Sequence, residues 1–320
     1  MMSLVWGSSS PPPPPPEAAV STMAKKCGAQ GGLLSSSSRG VVSNSSGAVA
    51  SRYYWCFPHF FQRRVEKIKD PLCQNLGSKD GEAPRTEWRC AYPLLEEAGL
   101  EAWAVDVLGW GFSDLGAPPC SAASKRHHLY QFWKSYIRRP MILVGPSLGA
   151  SVAIDFAVHH PIAVEKLVLI NASVYAEGTG DLAKLPKFLA YAGVSLLKSI
   201  PLRLYANLLA FNGISLSTTF DWTNVGRLHC LLPWWKDATV SFMSSGGYNV
   251  ISQIKQVKQK ALVICSEQDH IISYKQILRL RCELPYAIMR LIPDSGHLPH
   301  VENPTSVVKL IAGFARNDCC

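Results

Sequence analysis

The sequence predicts an α/β architecture: a mostly parallel central sheet flanked by helices, interrupted by a helical insert. Three observations carry this. Short apolar runs alternate with amphipathic stretches of helical length from Trp88 to Asn171, and strands that alternate with helices pair in parallel because each connection must cross the sheet. The alternation stops over residues 175–248, where apolar segments are broken by Pro186, Pro201 and Pro233, and it resumes from Ala261. Finally, the apolar run Met141 to Val144 passes through Gly145-Pro146-Ser147-Leu148-Gly149 into the small-residue stretch Ala150-Ser151-Val152-Ala153. That is the pattern of a strand turning so sharply into a helix that a serine hydroxyl is lifted clear of the backbone.

Residues 1–62 differ in kind from the rest. They hold the proline tract Pro11 to Pro16, the serine run Ser35 to Ser38, and Glu17 as the one acid against Lys25, Lys26, Arg39 and Arg52. A Ser-rich, acid-poor leader of this sort reads as a plastid or mitochondrial transit peptide, or else a plain disordered tail, and the chloroplast is the expected location. Residues 63–87 are polar and irregular. From there the pattern predicts a helix over Trp88 to Ala98, a strand over Glu101 to Val107, a glycine-rich loop over Asp106 to Asp114, and a helix over Ser124 to Arg138. That last helix would bury Leu129, Phe132, Trp133 and Tyr136 on one face. The strand Met141 to Val144, the helix Leu148 to His159 stopped by Pro161, and the strand Lys166 to Ile170 come next. Together residues 88–174 form the first half of the core. Residues 175–248 form the helical cap, with helices over Phe188 to Leu197 and Leu202 to Phe211. Residues 249–320 complete the core with the strand Ala261 to Cys265, the helix Ser273 to Cys282, the strand Ala287 to Ile292 and the helix Thr305 to Arg316.

With 320 residues and 48% hydrophobic content the chain can build a substantial core. The net charge of +9 comes from scattered short pairs such as Lys25-Lys26, Arg63-Arg64 and Arg138-Arg139. No basic stripe with interleaved aromatics is present, so nucleic acid is not an expected partner. The ten cysteines follow no Cys-x-x-Cys pattern and no Cys/His spacing suited to a metal, so free thiols in a reducing compartment and no metal or other cofactor are expected. No run of eighteen apolar residues occurs to span a membrane. Lys184, Lys187, Lys198 and Arg203 among apolar neighbours make the cap helices amphipathic, which suits either a solvated lid or peripheral contact with a membrane.

A serine hydroxyl is a weak nucleophile and needs a base within hydrogen-bond reach, oriented in turn by an acid. Beyond the strand ending at Cys265 comes Ser266-Glu267-Gln268-Asp269-His270, and beyond the next strand comes Pro293-Asp294-Ser295-Gly296-His297-Leu298-Pro299-His300. Both loops open on the strand edge that carries Ser147, where ligands of parallel sheets gather. The order Ser147, Asp269, His297, the stretch Asp106-Val107-Leu108-Gly109-Trp110-Gly111-Phe112-Ser113-Asp114, and Gly296-His297 followed by Glu302-Asn303-Pro304 resemble the α/β-hydrolase superfamily of the capped type, from about Trp88 to Phe314. The resemblance implies Ser147 as nucleophile, His297 as base and then acid, Asp269 as the residue holding the imidazole, and the N–H of Leu148 as one oxyanion donor. His300 is a rival base, and Glu267 and Asp294 are rival acids. The resemblance further implies an ester with an apolar part as substrate. Plastid relatives that release prenyl alcohols from chlorophyll-type esters point to a prenyl lipid.

One departure stands out. Relatives carry, before the helix containing Trp88, an apolar strand ending in His-Gly whose loop supplies the second oxyanion N–H. Here Lys79-Asp80-Gly81-Glu82-Ala83-Pro84-Arg85-Thr86-Glu87 occupies that place. An empty slot in mid-sheet would leave backbone groups unpaired on both neighbours, at about 1–3 kcal/mol each if buried. Arg52 to Phe57 could fill it, the neighbouring strands could close on each other, or this form could lack an exon. Two further functions stay open beside ester hydrolysis: ligand binding without turnover, and cofactor-free lyase or carbon–carbon hydrolase chemistry on the same residues.

Overall fold

The computed structural model describes residues 2–6, 87–113 and 119–317. Most of the expected leader, and all of the irregular segment except Glu87, lie outside the described residues. So does Arg52 to Phe57. The described strands are β1 (Met2–Trp6), β2 (Glu101–Val105), β3 (Met141–Pro146), β4 (Val164–Ile170), β5 (Lys260–Ser266) and β6 (Ala287–Ile292). They form one sheet in the order β2-β1-β3-β4-β5-β6. Pairing is parallel from β3 to β6, and β1 is antiparallel to both β2 and β3. The expected α/β fold with a mostly parallel sheet is therefore the fold observed.

Side chains of β3 alternate between the two faces, as a pleated strand requires. Met141 and Leu143 join one buried cluster and Ile142 and Val144 the other. On the first face lie α2 (Ala122–Phe132), α3 (Leu148–His159) and α8 (Tyr274–Glu283), contributing Leu129, Phe156 and Leu280. On the second lie α1 (Tyr92–Glu97) and α9 (Pro304–Arg316), contributing Leu95 and Ile311. Both faces being covered explains why β3, β4 and β5 read as nearly unbroken apolar runs. Local chemistry sets the helix starts. Ser121 accepts from Ser124 N–H at 3.2 Å and Asn303 from Ser306 N–H at 3.2 Å, while Ser273 and Gln276 cap α8 reciprocally.

Between β4 and β5 lie four helices, α4 (Lys187–Leu197), α5 (Ile200–Ala210), α6 (Leu216–Leu228) and α7 (Trp235–Ser244). Of the tryptophans in this insert, Trp222 and Trp235 are buried. Among the described residues Cys90, Cys120, Cys230, Cys265 and Cys282 are free thiols, and no group of three or more metal-binding side chains occurs.

Two departures from the sequence pattern are physical. The helix after Ser121 ends in a π-helical turn, Trp133–Ile137, with Arg138 left-handed at φ 58°. The wider turn rotates the succeeding residues out of the 3.6-residue register, so Tyr136, expected on the buried face with Leu129, is 55% exposed. In mid-sheet, the slot expected for a strand near residue 80 holds β1, so β2 and β3 do not close on each other. Met2–Trp6 falls within the stretch whose composition suits a leader; its pairing spans a long sequence separation that local pattern cannot reveal. Because β1 is antiparallel, Met2 pairs with Val105 and Trp6 with Glu101. The chain therefore leaves β1 at the edge opposite Ser147.

Candidate active site

Ser147 sits between β3 and α3 at φ 48° and ψ −119°, a conformation a non-glycine residue adopts only when its surroundings impose it. Two backbone hydrogen bonds do so: Ser147 N–H to Ile170 C=O at 2.8 Å, and Ser173 N–H to Ser147 C=O at 3.1 Å. The turn is so tight that a Cβ on Gly145 would lie 2.3 Å from the Gly149 carbonyl oxygen. Gly145→Ala is accordingly expected to destabilise the protein by about 3 kcal/mol and to remove any turnover. Urea unfolding of wild type and variant side by side measures this.

The Ser147 side chain does not cap its own helix. Its Oγ lies 2.8 Å from His297 Nε2, and His297 Nδ1 lies 2.8 Å from Asp269 Oδ2. A carboxylate can only accept, so Nδ1 carries the proton and Nε2 presents its lone pair to the serine hydroxyl. The other carboxylate oxygen, Oδ1, accepts from the N–H groups of Ile271 at 2.7 Å and Ile272 at 2.9 Å. The Asp269 and His297 side chains are 3% and 6% exposed. Leu148 opens α3, so its N–H belongs to the positive end of that helix beside the hydroxyl.

Burial alone would raise the Asp269 pKa. The hydrogen bond and charge of His297 and the two loop N–H groups outweigh it, and the carboxyl is held below its ordinary 3.8. A folded pKa below the unfolded one contributes stability above the ordinary carboxylate pKa, which is lost as pH falls through the folded value. Below about pH 4 the wild type is expected to lose thermal stability more steeply than Asp269→Asn. Melting curves across the acid range read this directly.

The rivals are placed elsewhere. His300 is buried, stacks on Trp88 at 4.5 Å and donates from Nε2 to Glu87 at 2.7 Å. Glu267 and Asp294 are exposed, and Glu267 accepts weakly from Asp294 N–H at 3.4 Å. In the glycine-rich loop, Asp106 accepts from Phe112 N–H at 2.9 Å, and a side chain on Gly111 would collide with that carboxylate. Asp114 lies outside the described residues.

Two positioning elements escape the sequence pattern. Asn171, buried at φ 43°, accepts from Ser266 N–H at 2.9 Å and donates to Ser266 Oγ at 2.9 Å, Gly296 C=O at 3.3 Å and His297 C=O at 2.9 Å. It ties the ends of β4 and β5 to the loop of the histidine. Its one sign in the sequence is a polar residue closing an apolar strand. Glu302, which the sequence marks only as part of a motif, accepts from Gly296 N–H at 2.6 Å and Asn212 N–H at 2.5 Å. His297 N–H donates to Ala210 C=O at 2.6 Å. Through these bonds the end of α5 holds the histidine loop. A side chain on Gly296 would lie 2.6 Å from the same Ala210 oxygen, so only glycine permits this approach.

A family model described as the alpha/beta hydrolase family matches residues 80–310. The chain is 66% identical over 230 residues to alpha/beta hydrolase domain-containing protein VTE7 of Arabidopsis thaliana, covering 72% of this chain and 70% of that one. Among solved structures, a meta-cleavage product hydrolase from Pseudomonas fluorescens IP01 superposes with a TM-score of 0.60 at 19% identity, over 75% of this chain and 88% of that one. A thermophilic esterase from Thermogutta terrifontis superposes with a TM-score of 0.60 at 16% identity, over 74% and 87%. At such identities these two structures speak to the fold alone.

Proposed function

Because the chain belongs to the alpha/beta hydrolase family, we propose that it is a serine hydrolase cleaving a carboxylic ester with an apolar, prenyl-lipid-like part through an acyl-enzyme on Ser147. The observation that carries this reading is the continuous hydrogen-bonded path from Ser147 Oγ through His297 to Asp269. Ser147 Oγ attacks the ester carbonyl carbon while its proton passes to His297 Nε2. The oxyanion forms beside the Leu148 N–H and the positive end of α3. His297 then returns the proton to the departing alkoxide, leaving an acyl ester on Ser147. Water, deprotonated by the same nitrogen, attacks that ester and releases the carboxylic acid. Asp269 keeps the imidazole in the required tautomer and stabilises its charged form. Each step is proton transfer and acyl transfer, so no cofactor is called upon.

Leu148 beside the nucleophile is 36% exposed, which supplies apolar surface where the substrate would lie, and the insert over the β4–β5 side serves as its cap. Import into the plastid belongs to the same proposal; removal of the whole leader on import would take β1 out of the sheet. The test is a pre-steady-state assay with an aryl ester. A burst of about one equivalent of alcohol per protein, with a fluorophosphonate adduct on the Ser147 peptide, is expected. Folded protein that neither bursts nor takes the probe would overturn the reading.

The polarity of β1 favours a second reading. A loop leaving β1 at the edge of Ser147, as the family's second oxyanion donor requires, is not present with β1 antiparallel. Saturable binding of an apolar ester without any burst would make the protein a ligand-binding relative.

A further inference from the structure

More than half of the exposed large apolar side chains among the described residues fall within residues 185–220. They form stripes. On α4, Phe188 is 71% exposed and Leu196 65%, two turns apart on one face, while the opposite side buries Ala190 and Val194. On α5, Leu202, Tyr205 and Leu209 repeat at helical spacing with 41%, 60% and 38% exposure, and Ala210 is the buried residue of that helix. Exposed apolar surface this continuous marks an interaction site. From residue 184 to 220 the sequence has Lys184, Lys187, Lys198 and Arg203 and no Asp or Glu, while exposed Asp181 and Asp221 border the stretch and Asp237 accepts from Tyr191 of α4. Lys184 pairs with Asp181, and Arg203 is turned inward, donating to Leu197 C=O and to the buried Cys230 Sγ. Lys187 is exposed at the start of α4, and Lys198 is half-buried at the α4–α5 junction.

We propose that the outer faces of α4 and α5 dock on the surface of an anionic lipid bilayer, the apolar stripes entering the acyl boundary and the lysines meeting the headgroups. Apolar stripes on adjacent helices, with lysines at the two ends of one of them, are the chemistry of an in-plane interfacial element. No helix among the described residues is long and apolar enough to cross a membrane, so the contact is with the surface. This attachment does not depend on turnover, and partition measured with no substrate present keeps its fate separate from that of the ester-hydrolase reading.

The experiment is co-sedimentation of the full chain with phosphatidylcholine vesicles, with or without phosphatidylglycerol. Binding is expected to rise about tenfold or more with the anionic lipid and to fall with added salt. Phe188→Ser with Leu196→Ser should weaken it about tenfold or more, and Lys187→Gln with Lys198→Gln about tenfold, all with unchanged melting temperatures. Partition unaffected by either pair overturns the proposal. So does a stable dimer that the apolar pair dissociates, or cross-linking of position 188 to residues 7–86 of the same chain without vesicles. Competition by glycerol phosphate as effective as by vesicles would likewise show an anion site and no bilayer docking.

Discussion

Ser147→Ala is expected to lower kcat/KM for an aryl ester by roughly 10³- to 10⁴-fold. A complete triad loses on the order of 10⁶ in kcat when its serine is removed, and a site that lacked the second oxyanion donor would start about 10²- to 10³-fold lower. What remains is the part owed to the nucleophile. The companion variant is Ser147→Gly. At φ 48° and ψ −119° the serine backbone is in a region glycine tolerates, so glycine should abolish turnover equally while raising stability by about 1 kcal/mol. Steady-state kinetics and denaturant unfolding on the two variants give both numbers. Equal stability of wild type and glycine variant would show that the turn holds no strain, and turnover surviving in either would remove Ser147 from the chemistry.

Asn171→Ala is expected to cost about 3–5 kcal/mol of stability. It withdraws the acceptor of Ser266 N–H and the donor shared by the Gly296 and His297 carbonyls, at about 1–3 kcal/mol for each buried group left unpaired. It also places alanine at φ 43°, a left-handed conformation that costs about 1 kcal/mol. Asn171→Gly should recover only that last part, so the difference between the two variants separates backbone from side chain. Because Asn171 grips the carbonyl of His297, a purely structural loss would leave kcat intact in the folded fraction. A fall in kcat with KM unchanged, measured well below the melting temperature, identifies it as a positioning residue.

Residues whose placement is fixed by neighbours in sequence were legible, and those fixed by distant contact were not. The Gly145 to Gly149 turn is a local device, and the loops after β5 and β6 follow from the strand pattern, so Ser147, Asp269 and His297 could be named together from the chain. The end of the helix at His159 followed from Pro161. Asn171 gave little sign because its four bonds reach residues about a hundred positions away. The π turn at Trp133 has no local composition that announces it. β1 lay furthest from reach, since its partners Val105 and Val144 are set by the sheet and not by the five residues themselves.

The bonds joining Ala210 to His297 and Asn212 to Glu302 make the end of α5 and the loop of His297 parts of one mechanical unit. Any outward swing of α5 would break both at once, so an opening that admits substrate under the proposed function would also loosen the imidazole. The population of the shut form then scales affinity and rate together. If α5 also rests on a bilayer, attachment and base geometry are thermodynamically linked, and each must alter the other by the same factor. In that case the bilayer itself acts as an allosteric ligand of the histidine.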